Sequence, residues 1–171
     1  MSQGIKAGRS NFLFYNDKAV VPPLTGTGTY ASPDWVVIDR IGDLDRSNSK
    51  SSTEVDMRAS PTTIVVFGNK SREISFTYYK RPGDSDLVYN VLLESYENDL
   101  VLDIAIAEGD ISGTPAAGIL YDRGPYTVAE MTKSEPIAGV DAFDVTMNVS
   151  DAETDIGSGT PFVYLPNQVT T

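Results

Sequence analysis

The chain has 171 residues, a formal net charge of −11 and a sequence pI near 4.3, long enough for one domain with a real core. It has no cysteine and no histidine, which excludes disulfides, thiolate chemistry, Ser-His-Asp triads and the usual zinc and haem sites. Acidic residues outnumber basic ones 24 to 13, so contact with nucleic-acid phosphates should be repulsive. No run approaches the roughly 20 apolar residues that cross a bilayer, and the start MSQGIKAGRS lacks the apolar block of a signal peptide.

In chain order, Asn11–Tyr15 (NFLFY) reads as a short aromatic strand, and Val20–Leu24 is cut off as a central strand by Pro22-Pro23. TGTGTYASPD reads as loop, and Trp35–Asp39 (WVVID) as a buried strand. The serine-rich stretch Gly42–Ser52 reads as a mobile connection, giving an expected flexible loop over 42–53. Alternation returns in Thr53–Arg58, where Val55 and Met57 oppose Glu54, Asp56 and Arg58. TTIVVF at 62–67, then Gly68-Asn69, then EISFTYYK at 73–80 reads as a hairpin turning at GNK. In that last strand Ile74, Phe76 and Tyr78 alternate with Ser75, Thr77 and Tyr79, one apolar face and one polar, uncharged face.

A helix is expected over about 84–98: Asp84 or Ser85 can cap it, and Leu87, Val88, Val91, Leu92 and Tyr96 recur on one side. Leu100–Ile106 reads as the next strand, followed by strands at Ala117–Asp122 and Tyr126–Lys133 and a turn at 136–139. In the strand after it, Phe143, Val145, Met147 and Val149 alternate with Asp144, Thr146, Asn148 and Ser150. FVYL at 162–165 is a candidate last strand in an extended C-terminal segment, 151–171. The sum is a mainly β chain: a two-sheet antiparallel β-sandwich or rolled barrel with one flanking helix and long loops, expected as one domain over 1–171.

Three other motifs are weak. Gly26-x-Gly28-x-x-Ala31 matches a dinucleotide fingerprint in letters but opens no helix. Asp43, Asp45, Ser47, Ser51 and Glu54 match calcium-loop positions, but Asn48 stands where that loop needs glycine. Carboxylates such as Glu94, Glu97 and Asp99 read as the solvated side of the helix. No catalytic, cofactor or metal residue is assigned.

The order of pieces is the stronger signal. Trp35 with Ile38 and Gly42-Asp43-Leu44, then Glu54-x-Asp56-x-Arg58, Ile74-Ser75-Phe76-Thr77, a helix ending before LVLDIAI, Gly109-Asp110-x-x-Gly113, and PIAG ahead of FDVTMNV resemble the tail tube (major tail) proteins of long-tailed bacteriophages. The resemblance covers about residues 10–150 and lies in succession and spacing. It implies a structural, non-enzymatic virion subunit with a β-sandwich and flanking helix, assembled as stacked hexameric rings around a channel for the genome. It further implies partners: the chain itself, the tape measure protein, tail-terminator and tail-tip proteins, a sheath in tails that have one, and genomic DNA passing without specific binding. Assembly would take place in the host bacterial cytoplasm.

On that reading Glu54, Asp56, Ser75, Thr77, Asp144, Thr146 and Asn148 are candidate lumen-facing residues, a polar wall that stays wet and does not hold phosphates. Arg58, Arg72, Arg81 and Arg123 are candidate inter-subunit residues. The rival reading is a monomeric β-sandwich, a virion decoration protein or carbohydrate-binding module, because any antiparallel sheet has one solvated face.

Overall fold

A computed structural model describes residues 11–17, 33–56, 63–83, 86–113, 117–134, 139–150 and 166–168. Among them the chain forms β1 (Phe12–Asn16), β2 (Trp35–Val37), β3 (Ile41–Asp56), β4 (Thr63–Tyr79), α1 (Leu87–Asn98), β5 (Leu102–Ala107), β6 (Leu120–Ser134), β7 (Ala142–Val149) and β8 (Pro166–Gln168). The strands make a single antiparallel sheet in the order β2-β1-β5-β6-β7-β4-β3, with β8 beside the start of β6. The sheet is mainly β as expected and carries a single helix, but it does not close into a barrel.

The two expected sheets are two halves of this one sheet. Leu13 and Tyr15 from β1 share a core with Ile74, Phe76 and Tyr78 from β4, although three strands separate β1 from β4 in the order. Twist brings the ends over one another, and the enclosed face holds Ile104, Ile106, Val128, Val145 and Met147. β5 is buried along its whole length because its reverse face carries a second cluster of Phe14, Trp35, Ala105, Ala107 and Ile111. This double burial explains its nearly continuous apolar run.

α1 lies over the core through Val91, Leu92 and Ser95. Its cap is Asp86, whose carboxylate accepts the Tyr89 amide at 3.1 Å, so the expected caps Asp84 and Ser85 are displaced by one or two residues. Leu87 and Tyr96 lie outside the buried stripe, 64% and 43% exposed. The helix ends at Asp99, in the left-handed conformation at φ 53°. Ser95 ties it to the sheet: its hydroxyl accepts the Val128 amide at 3.0 Å and donates to the Leu100 carbonyl at 2.7 Å.

Three expectations about elements are corrected. The segment 42–53 is no loop; it belongs to β3, which pairs with β4 from Ile41 to Asp56. Its residues alternate, but both sides are polar, so no hydrophobic period marks the strand. Gly68-Asn69 does not turn the chain, since β4 runs straight through it; pairing passes from Lys50↔Lys70 to Ser52↔Phe67, so β4 carries an extra residue there. A Cβ at Gly68 would fall against the Ser51 hydroxyl across the ribbon, so glycine leaves room for that side chain where it stands. The strands expected at 117–122 and 126–133 are one bent β6. Val20–Leu24 and FVYL at 162–165 lie outside the described residues.

Candidate assembly surfaces

The face of β4 and β7 turned away from the core is polar across four strands. Pairing aligns Asp45, Ser75, Thr146 and Glu130 in one row on β3, β4, β7 and β6. A second row is Ser47, Glu73, Asn148 and Thr127. A third holds Thr77, Asp144 and Thr132, with the Thr77 hydroxyl donating to Asp144 Oδ1 at 2.7 Å. The charged members of these rows, Asp45, Glu73, Glu130 and Asp144, are all acidic. The surface is therefore hydroxyl, amide and carboxylate, backed directly by Ile74, Phe76, Val145 and Met147.

Of the candidate lumen residues, Ser75, Thr77, Asp144, Thr146 and Asn148 lie together on this face. Glu54 and Asp56 do not join them. On β3 they keep the parity of Arg46 and Asn48, opposite to Asp45 and Ser47, and they sit well past Glu73, the last β4 residue paired with β7. Asp45, Ser47, Glu73, Thr127, Glu130 and Thr132 were not among the candidates. On β6 the signal is broken by a register shift between Val128 and Glu130, which restarts the alternation one residue late.

Beyond Glu73, among the described residues, β3 and β4 pair only with each other and form a two-stranded arm. Its outer half exposes Val55, Ile64, Val65, Val66 and Phe67, the last at 62%. Near its end the Thr63 hydroxyl donates to Asp56 Oδ1 at 2.7 Å. A ribbon of two strands is marginal by itself in water, and contiguous exposed apolar residues mark a contact surface. β3 is also the last strand in the sheet order, so its outer edge has no strand partner among the described residues.

The candidate arginines serve different places. Arg58 lies outside the described residues. Arg72 lines a cavity of about 240 Å³ at the base of the arm, with Arg46, Ile104, Ile106 and Tyr126. Arg81 pairs with Asp39 at 2.8 Å, both largely in solvent. Arg123 is engaged inside the fold: its guanidinium donates to the fully buried Asp103 at 2.6 Å and lies 5.2 Å from the Trp35 ring centre. Asn16 Nδ2 also donates to Asp103, at 2.9 Å. Burial pushes the Asp103 carboxyl up, against the opposing pull of Arg123 and Asn16.

A second internal network joins the body end of β4 to the helix. The buried Tyr78 hydroxyl donates to both Asp86 oxygens, at 2.8 and 2.9 Å, and the Arg81 amide donates to the same carboxylate at 2.7 Å. Burial alone would raise Asp86, but these donors together hold it below the usual carboxylate range. The Tyr78 phenol is raised, chiefly by burial and then by Asp86; burial and nearby carboxylates likewise push Tyr15 up to about 12. The calcium-loop positions are strung out along extended β3, so they do not converge on one point.

No family model matches the chain, and no curated protein matches its sequence significantly. Solved structures do match its fold. A chain from the tail of an empty GTA particle, refined with C6 symmetry, is 15% identical with a TM-score of 0.58, covering 86% of this chain and 96% of that one. The SPP1 tail tube is 12% identical with a TM-score of 0.61, covering 96% and 80%. A sheath-tube complex of an extracellular contractile injection system, PVC, is 12% identical at 0.54, covering 87% and 90%. At these identities the likeness is one of fold.

Proposed function

We propose that this chain is the tube subunit of a phage-like tail, acting as one domain over 1–171 and assembling as stacked hexameric rings around a channel through which DNA passes. The polar, acidic face spanning β3, β4, β7 and β6 carries the reading, because a channel wall for DNA needs a wet surface that repels phosphate and stays rigid. Ser75, Thr77, Asp144, Thr146 and Asn148 are the lumen residues of this proposal, with Asp45, Glu73 and Glu130 added. The fold likeness to tail-tube and injection-system structures supports it, as does an arm whose apolar residues are left exposed among the described residues.

The assembly partners follow the same reading: the chain itself, then a tape measure protein inside the tube, terminator and tip proteins at its ends, and a sheath if the tail contracts. The mature location is the virion tail. Electron microscopy of the purified full chain at rising concentration tests the proposal. Hollow rings or tubes are expected; small featureless particles at every concentration would return the chain to the class of monomeric β-sandwich modules.

A further inference from the structure

The base of the arm sorts its charges by face. Pairing sets Asn48 opposite Arg72 and Lys50 opposite Lys70, and Arg46 lies opposite the buried Ile74. Arg46, Lys50, Lys70 and Arg72 therefore share the side that continues the core, whereas Asp45, Ser47, Ser49, Ser71 and Glu73 share the other. In a chain of net charge −11 this is a concentrated basic surface. It is also uncomfortable in a single copy, because Lys50 and Lys70 face each other directly across the ribbon and like charges so placed repel. Arg46 is joined to Asp122 at 2.6 Å, and Lys50 lies 4.4 Å from the Phe67 ring centre, but neither Lys50 nor Lys70 forms an ion pair among the described residues.

The opposite defect occurs at the far end of α1. Its last turn has no basic residue, and Glu94, Glu97 and Asp99 crowd the negative pole of the helix dipole. Beside it opens a surface hollow of about 590 Å³, lined by Tyr96, Glu97 and Asp99 from the helix end and by Thr127, Ala129 and Asn148 from the strands. It is roomy enough for lysine and phenylalanine side chains, and Tyr96 offers an exposed ring at its rim.

Resting on the tube reading, we propose that the basic face of the arm, led by Lys50, Lys70 and the adjoining Phe67, docks against the acidic end of α1 in a second copy of this chain. Each surface then relieves the other's like-charge strain. Because two different patches meet, the contact is heterologous and repeats from copy to copy, which is what a growing stack requires.

Charge exchange in the full chain tests this. Lys50→Glu with Lys70→Glu, and separately Glu97→Lys with Asp99→Lys, should each raise the concentration needed for polymer about thirtyfold, from loss of paired charges and new repulsion. The four substitutions together should restore assembly to within about threefold of the parent. Pairs that polymerise like the parent, or a combination that rescues nothing, would overturn the contact.

The native chain has no cysteine, so Lys70→Cys combined with Glu97→Cys gives a second readout: under oxidant it should form a ladder of crosslinked multiples, and neither single variant should. Tubes without the ladder remove this contact and leave the tube reading intact. A ladder without hollow tubes keeps the contact and removes the tube reading; neither ladder nor tubes removes both.

Discussion

The body and the arm obey opposite rules. In the body β1, β4, β5, β6 and β7 pack a face on a shared core, and its few buried polar groups, such as Asp103, Asp86 and Ser95, are each given partners. In the outer arm the backbone is paired just as regularly, yet every residue from Ser47 to Asp56 and from Thr63 to Ser71 is exposed, including the apolar ones. Hydrogen bonding alone therefore makes a strand in this chain, but only burial makes it stable in one copy. The body's core side chains are covered within one copy; the outer arm's are left in solvent among the described residues.

Four substitutions sharpen that contrast. The largest effect is expected for Arg123→Ala, which takes the main partner from the fully buried Asp103 carboxyl; a loss of about 3–5 kcal/mol in urea unfolding is predicted. Leu92→Ala, in the fully buried helix face, should cost about 2–5 kcal/mol by the same measurement.

Asp86→Ala removes the helix cap and strands the Tyr78 hydroxyl, for about 2 kcal/mol at pH 7. This third effect depends on pH with a defined sign. Because the folded Asp86 lies below its ordinary value of 3.8, its contribution is complete above that pH and is lost as pH falls through the folded value. The gap between parent and variant should therefore close on acidification below about pH 3.8, and a gap that widened there would contradict the assigned donors.

The smallest effect on the single copy is expected in the arm. Phe67→Ser, at a residue 62% exposed, should change unfolding stability by less than about 0.5 kcal/mol while impairing polymer formation. If it instead destabilised the monomer as Leu92→Ala does, the arm would be part of the body and the contrast would fail.

The same division decided what the sequence made legible. Strands that bury one face announced themselves: Ile74, Phe76 and Tyr78, and Phe143, Val145 and Met147, are read directly from period two, and the helix from its Val91-Leu92 stripe. The arm's outer part, Thr53 to Asp56 and Thr63 to Phe67, was legible as strand, but its inner part was invisible because Asp45 to Ser52 alternates polar with polar, so its strand character comes from pairing with β4 rather than from burial. Gly68-Asn69 imitates a hairpin turn because glycine serves tight turning as readily as a bulge, and only the pairing of β4 with β3 on both sides of it distinguishes them.

The candidate site divided likewise. The β4 and β7 members of the polar face follow from alternation, while the β3 and β6 members needed the pairing, since a bulge near Ala129 hides the phase of Glu130 and Thr132. Glu54 and Asp56 resemble the other candidates by pattern but belong to the arm. Arg123 resembled a surface cation and is instead the partner of Asp103, a buried acid set in an otherwise apolar run.

The central claim, that the β4–β7 polar face lines a channel no lone copy encloses, is tested most directly by electron cryo-microscopy of polymer grown from the purified full chain. A hollow, six-fold tube with Thr146 and Asp144 on its inner wall is the predicted result. A map placing those two side chains on the outer surface, or at a contact between copies, would contradict it.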